Sequence, residues 1–150
     1  MNIKIKEVKQ LKINDLEGLD PITVYMDEWE HEKPDRSIQY QGRVTIVCYD
    51  TILSYYWGAM GEPLKDFLID TNAEYLAGKF IQSSYSSYCP VATVGNYTEN
   101  GVWREREADV NIEMSENQKE YIIKVIKAVQ SALKELKTEE ANEWYEQKGT

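Results

Sequence analysis

The sequence predicts an α+β fold, in which an antiparallel sheet of about four strands carries two short helices and a long C-terminal helix packed on the sheet. Residues 1–57 contain several short segments that alternate apolar with polar residues or concentrate β-branched ones, as strands do. The links between them are too short for crossover helices, so antiparallel pairing is expected. Residues 115–136 instead repeat apolar side chains at helical spacing. The length of 150 residues suits one domain, 1–150.

Four segments are predicted as strands. They are residues 3–13, 22–29, 43–49 and 52–57, of which the third is densest in β-branched residues. Residues 30–37 are charged and include a proline, which predicts an exposed loop between the second and third strands.

Two short helices are predicted after the strands. The first starts at Pro63, which the first turn of a helix tolerates, and runs through Leu68. The second starts at Asn72 and ends near Gly78.

The C-terminal helix has the clearest pattern. It begins at Ser115, and Gln118 three residues later completes a capping box. Its apolar stripe recurs at four- and three-residue spacing and comprises Ile122, Ile126, Val129, Leu133 and Leu136. We favour packing of this stripe on the sheet, and the alternative is a homodimer formed through the helix.

Two segments lack a strong pattern. Residues 83–101 repeat Ser-Ser-Tyr and contain two glycines, which predicts a long loop or a hairpin. Residues 138–150 are highly charged and are expected to fray or project.

The net charge of −9 restricts the partners of the chain, because 26 acidic residues outnumber 17 basic ones. Direct binding to nucleic acid needs cationic side chains, and so does docking on an anionic membrane; neither is expected. The N-terminal residues contain no signal-peptide apolar region, so we expect the protein in the cytoplasm. The acidity serves either solubility or the recognition of a basic partner.

Candidate catalytic chemistry is sparse. His31, the only histidine, lies in a charged segment without an accompanying nucleophile, and we interpret it as solvated. The two cysteines, Cys48 and Cys89, have no ligand at metal-binding spacing and are expected to be free thiols. We therefore predict a protein that is not an enzyme, with no catalytic residues, metal or cofactor.

Aromatic residues are the stronger functional signal. Eleven tyrosines and four tryptophans accompany only two phenylalanines, and aromatic rings with a polar end are typical of interfaces. Tyr55 and Trp57 share one face of a predicted strand, and Tyr56 takes the other. Gly58 and Gly61 suggest a turn after them. We predict that Tyr55 and Trp57 bind a partner, and the alternative is a structural corner of buried aromatic rings.

The segment from Val44 to Lys79 resembles a group of small proteins of tailed phages and prophages. The likeness rests on the β-rich run, the Tyr-Trp-Gly-Ala-Met-Gly sequence that starts at Tyr56, and the later Glu-Tyr-Leu-Ala-Gly-Lys. It implies a phage origin and a bacterial cytoplasmic setting, and it implies no catalytic residues.

Together these features predict a phage accessory protein that binds a host protein with a basic surface. Inhibition of a CRISPR effector or another defence nucleic-acid enzyme is the expected effect. Residues 15–32 contain seven acids and neither lysine nor arginine, and the predicted contact residues there are Asp27, Glu28, Glu30 and Glu32. Two alternatives stay open: a small-ligand or nucleotide-binding module that uses the aromatic turn, and a structural or oligomerisation protein.

Overall fold

The computed structural model describes residues 1–86, 92–99, 102–108 and 115–149. Its strands are β1 (Lys9–Ile13), β2 (Ile22–Glu32), β3 (Ile38–Cys48), β4 (Thr51–Met60), β5 (Ala92–Glu99) and β6 (Val102–Ala108), and its helices are α1 (Leu64–Asp70), α2 (Ala73–Ser86) and α3 (Glu116–Lys148). The first four strands form one sheet in the order β1-β2-β3-β4, and β5 pairs with β6. All of these pairings are antiparallel. The predicted α+β fold, with its four-stranded sheet and long C-terminal helix, is confirmed.

Alternating side chains of the strands build the core. Ile22 and Val24 of β2 are completely buried, as is Val44 of β3, while the residues between them point to the other face. The described helices cover this buried face: α1 packs beside β3, α2 beside β4 and α3 beside β2. Four of the five residues of the α3 stripe are at most 4% exposed, so the stripe belongs to the core of one chain.

Two of the three predicted helix starts, Asn72 and Ser115, have side-chain caps, whereas Pro63 makes none. The side-chain oxygen of Asn72 accepts hydrogen bonds from the backbone N–H groups of Glu74 (2.8 Å) and Tyr75 (3.1 Å). Ser115 Oγ accepts from the Gln118 N–H at 3.3 Å, and Gln118 Oε1 accepts from the Ser115 N–H at 3.1 Å. This reciprocal pair is the predicted capping box.

The strands β2 and β3 extend farther than predicted. β2 continues to Glu32 and β3 starts at Ile38, so part of the predicted loop 30–37 is strand. The turn between them closes with a hydrogen bond from Lys33 N–H to the Ser37 carbonyl (2.9 Å). Charged residues continue the ladder here because the side chains of Glu30 to Glu32 remain exposed and lose no hydration.

The predicted aromatic turn is also strand. β4 runs through Met60, which places Gly58 inside the ladder, and a register shift lies opposite it between Tyr40 and Gly42. Among the described glycines only Gly18 has a positive φ (67°), so the backbone at Gly58 and Gly61 does not require glycine. Backbone pairing with β3 keeps this segment extended.

Four other boundaries differ from the predictions. Residues 1–8 have no regular secondary structure, so β1 is shorter than the predicted strand 3–13. α2 continues past Gly78 because Phe80, one turn from Leu76, is fully buried in the core. The range 83–101 contains the end of α2 and strand β5, so of the two alternatives the described residues contain the hairpin. Residues 138–148 are helical rather than frayed, consistent with their many good helix formers.

Cys89 lies outside the described residues.

Candidate binding surface on the sheet

The face of the sheet opposite the helices carries aromatic and polar side chains. Tyr25 and Tyr56 are 40% and 42% exposed, and Ile52 is 64% exposed. On the same face, the hydroxyl groups of Thr45 and Ser54 form a cross-strand hydrogen bond of 3.0 Å. Within the described residues this open face of the sheet has no helix packed on it.

An aromatic cluster occupies one end of the open face. It consists of Trp29 and Tyr56, whose rings stack with centroids 5.8 Å apart, together with Lys6, Gln41 and Arg43. The Lys6 ammonium lies 5.2 Å from the Trp29 centroid, and the Arg43 guanidinium lies 5.8 Å from the Tyr56 centroid. Both distances permit cation–π attraction. The open face therefore presents aromatic surface with positive charge beside it, in a chain whose net charge is negative.

Hydrogen bonds fix the aromatic cluster to the sheet. Trp29 Nε1 donates to Gln41 Oε1, and Gln41 Nε2 donates to the Gly58 carbonyl at 3.0 Å. Gln39 Nε2 donates to the same carbonyl at 2.6 Å. The indole ring is therefore oriented by a chain of polar contacts that crosses from β2 over β3 to β4.

The aromatic residues chosen from the sequence lie on the other face. Trp57 is 7% exposed and packs edge-on against Phe67 and Phe80, with centroids 5.4 and 5.7 Å away. Tyr55 is half-buried, 4.7 Å from the Trp57 ring. Tyr55 and Trp57 do share a face, but that face is the core side, so Trp57 presents little surface to a partner.

Sequence analysis missed Trp29 and Tyr56. The alternation within β2 contains a signal for Trp29, because Ile22, Val24 and Met26 define the apolar face and every odd-numbered residue belongs to the other one. Nothing local indicates that Trp29 meets Tyr56, since the two residues lie on different strands with β3 between them.

A second feature is the outer half of β2. β1 pairs only with Ile22–Met26, whereas β3 pairs with the whole of β2 down to Glu32. Residues 27–32 therefore have β3 on one side and, among the described residues, no strand on the other. We call this segment the free edge of β2. Its outward backbone groups pair with no strand that the structure describes, which is the geometry that accepts an additional strand.

The four predicted acidic contact residues all lie on this free edge, but they do not form one patch. Asp27 points to the open face, where it pairs with Lys6. Glu28 points to the helix side, where it accepts from Lys9 Nζ (3.1 Å) and from the Leu64 backbone N–H (3.3 Å). Asp27 and Glu28 thus occupy opposite faces, as strand geometry requires. Glu28 stabilises the first turn of α1, and its carboxylate is therefore occupied by contacts within the chain.

Glu30 and Glu32 lie on the same side of β2 as Glu28. Both are exposed, and within the described residues neither takes part in an ion pair. They are therefore the two acids of the free edge whose charge is available to a partner.

A cavity of about 290 Å³ opens beside Glu28, between β1, α1 and α3. Leu11, Leu64 and Leu133 contribute to its apolar wall. Ion pairs of Lys9 with Glu28 and of Lys65 with Glu140 lie at its rim. The free edge of β2 thus has an apolar recess next to it on the helix side.

Within the part of the chain that the structure describes, the remaining reactive groups do not assemble into a catalytic or metal centre. Cys48 is 1% exposed and free, and Tyr121 donates a hydrogen bond to its sulfur at 3.2 Å. This hydrogen bond, together with burial, raises the pKa of Tyr121 to about 12. Among the described residues, no group of three or more His, Cys, Asp or Glu side chains could hold a metal ion. No described helix has the length and apolar character needed to cross a membrane.

The model of a family described as a phage family, Phage_phiTE_072, matches residues 1–147. No curated protein and no solved structure matches the chain.

Proposed function

The chain belongs to this phage family, and we propose that it is a phage protein that works in the bacterial cytoplasm by binding a host protein rather than by catalysis. The observation that carries the proposal is the free edge of β2. Six residues of strand, 27–32, extend past β1 with exposed side chains at their end. Proteins normally cover or shorten such edges, because unpaired strand backbone recruits other chains. An open edge therefore suits a protein whose function is to bind another protein chain.

The charge of the free edge favours a basic partner. Glu30 and Glu32 are exposed without an ion pair in the described part of the chain, and the whole chain carries a net charge of −9. Host proteins that handle nucleic acid contain basic grooves for the phosphate backbone. We therefore propose a CRISPR effector or another defence nucleic-acid enzyme as the target, with inhibition arising because the acidic edge competes for such a groove.

The aromatic cluster favours a second candidate, a site for a small planar ligand or nucleotide. Trp29 and Tyr56 present aromatic surface on the open face, and Arg43 supplies an adjacent positive charge. Planar ligands are bound by this combination of stacking and charge. A ligand that absorbs ultraviolet light and copurifies with the wild-type chain, but not with Trp29→Ala, would support this candidate.

Affinity capture from a host lysate tests the leading proposal. Three full-length chains with a C-terminal tag are compared: wild type, Glu30→Lys/Glu32→Lys, and the matched control Glu120→Lys/Glu143→Lys. The control makes the same change of net charge at exposed positions of α3. We expect mass spectrometry to find a host protein that wild type and control retain and the edge variant loses. A retained set that is identical for all three chains would contradict the proposal.

A further inference from the structure

Residues 1–8 form an N-terminal arm. Its apolar and charged residues alternate as in a β-strand, although the arm is not part of any strand. Ile3 and Ile5 alternate with Lys4 and Lys6, and the two isoleucines are 79% and 99% exposed. Alternation of this kind specifies a strand with two distinct faces. The arm leads directly into β1, the neighbour of β2 in the sheet.

The register of β1 on β2 defines where the arm would pair. Lys9 lies opposite Met26 and Ile13 opposite Ile22, and continuing this register upstream places Lys6 opposite Trp29. Lys6 is already close to that position, since its ammonium contacts Asp27 and lies 5.2 Å from the Trp29 centroid. The arm therefore lies near the free edge of β2 without pairing with it.

The same register explains why the arm does not pair. It places Ile5 opposite Glu30 and Ile3 opposite Glu32. Cross-strand pairs stabilise a sheet when their side chains are complementary, and an isoleucine gives a carboxylate neither charge nor a hydrogen bond. Pairing would also order six residues of backbone. The arm is complementary in charge to the edge only on the open face, where Lys6 pairs with Asp27.

We propose that the free edge of β2 binds an extended segment of the host protein as an added strand, with lysine or arginine at the alternate positions that face Glu30 and Glu32. The segment supplies the charge complementarity that Ile3 and Ile5 lack, so it displaces the arm. This inference rests on the proposed function, because it names the chemistry and the binding mode of that partner. Backbone hydrogen bonds provide the affinity, and the two carboxylates select the basic face.

A defined peptide probe tests the edge without knowledge of the partner. The probe is a fluorescein-labelled peptide of about ten residues in which arginine alternates with threonine. Its control has the same composition with all arginines consecutive. We expect anisotropy to show that the alternating peptide binds wild type, and that Glu30→Lys/Glu32→Lys weakens this binding about tenfold or more. Equal binding of both peptides, or no effect of the variant, would overturn the proposal in favour of unspecific charge attraction.

A variant of the arm supplies the second test. In Ile3→Arg/Ile5→Arg the arm itself presents basic residues to Glu30 and Glu32, so we expect it to pair with the edge. Amide hydrogen exchange should then slow in residues 2–8 and 27–32, and the peptide should no longer bind. The control Asn117→Arg/Asn142→Arg adds the same charge at exposed positions of α3, away from the edge, and should leave both readouts unchanged. Identical exchange in the two variants would overturn the proposed pairing.

The two proposals can fail separately. Loss of a host protein in affinity capture with the edge variant, without binding of the alternating peptide, would retain the proposed function and reject the added strand. Peptide binding with no captured host protein would support the added strand and reject a host protein as its source.

Discussion

The same strands form both faces of the four-stranded sheet, but the sequence predicts the two faces to different extents. On the covered face, Val24, Val44 and Leu53 are at most 3% exposed, and all three are aliphatic. On the open face, Trp29 and Tyr56 form a stacked pair, and hydrogen bonds through Gln41 of β3 fix the Trp29 ring to β4. Burial dictates the first face, so local alternation predicts it. Cross-strand geometry dictates the second, so only the assembled sheet reveals it.

The sharpest test of this contrast is between two neighbouring aromatic residues of β4. Trp57→Ala removes a ring buried against Phe67 and Phe80, and we expect a loss of about 3–5 kcal/mol in the free energy of unfolding. Tyr56→Ala removes a half-exposed ring and the stack with Trp29, worth about 0.5–1.5 kcal/mol. Denaturant unfolding measures both. Equal losses would mean that the two faces are buried alike.

An aliphatic pair repeats the comparison without aromatic contacts. Leu53 is 3% exposed and Ile52 is 64% exposed, although they are adjacent in β4. Leu53→Ala should cost about 2–5 kcal/mol, because it leaves a cavity in the core. Ile52→Ala should cost about 1 kcal/mol or less, chiefly through lower β-propensity. If Ile52→Ala were as destabilising as Leu53→Ala, something would have to cover the open face.

The covered face also makes a pH-dependent contribution through Tyr121. Its pKa is raised from 10.0 to about 12, so folding favours the neutral phenol. This stabilisation is fully present below the ordinary tyrosine pKa and is lost as the pH rises towards about 12. We expect Tyr121→Phe to reduce the fall in unfolding free energy above pH 10. Tyr49→Phe, which removes the hydroxyl of a 79% exposed tyrosine, is the matched control, and an equal reduction in this variant would contradict the assignment to Tyr121.

The smallest effect is expected at Gly58, on the open face. A Cβ there would lie 3.4 Å from the Tyr56 ring, an ordinary van der Waals contact, and Gly58 has no positive φ. Gly58→Ala should therefore change the unfolding free energy by less than about 1 kcal/mol in either direction. A larger loss would show that the aromatic cluster tolerates no added bulk at this position.

Much of the covered face could be predicted from the sequence. The alternation at Ile22 and Val24, the stripe through Val129, and the caps at Asn72 and Ser115 all act within a few residues of one another, and all four are confirmed. Local pattern is sufficient in these cases because the cause is itself local.

The candidate surface could be predicted only in part. The sequence indicated the acids of β2, but it could not separate the engaged Glu28 from the exposed Glu30, because the partner of Glu28 is the first turn of a helix far along the chain. It also could not decide which of Trp57 and Tyr56 is buried, since either face of an alternating strand can meet the helices. These distinctions depend on long-range packing.

Hydrogen exchange on the free chain tests the central claim, the free edge of β2, most directly. Residues 22–26 of β2 pair with β1 and β3, so nearly every backbone amide there should be protected. In residues 27–32 only the amides directed at β3 should be protected, and the alternate ones should exchange at close to the rate of an unstructured chain. Residue-resolved exchange by nuclear magnetic resonance distinguishes these patterns. Alternating fast and slow amides in 27–32 is the predicted result, and uniform protection of both halves of β2 would contradict the account, because the edge would then already be paired.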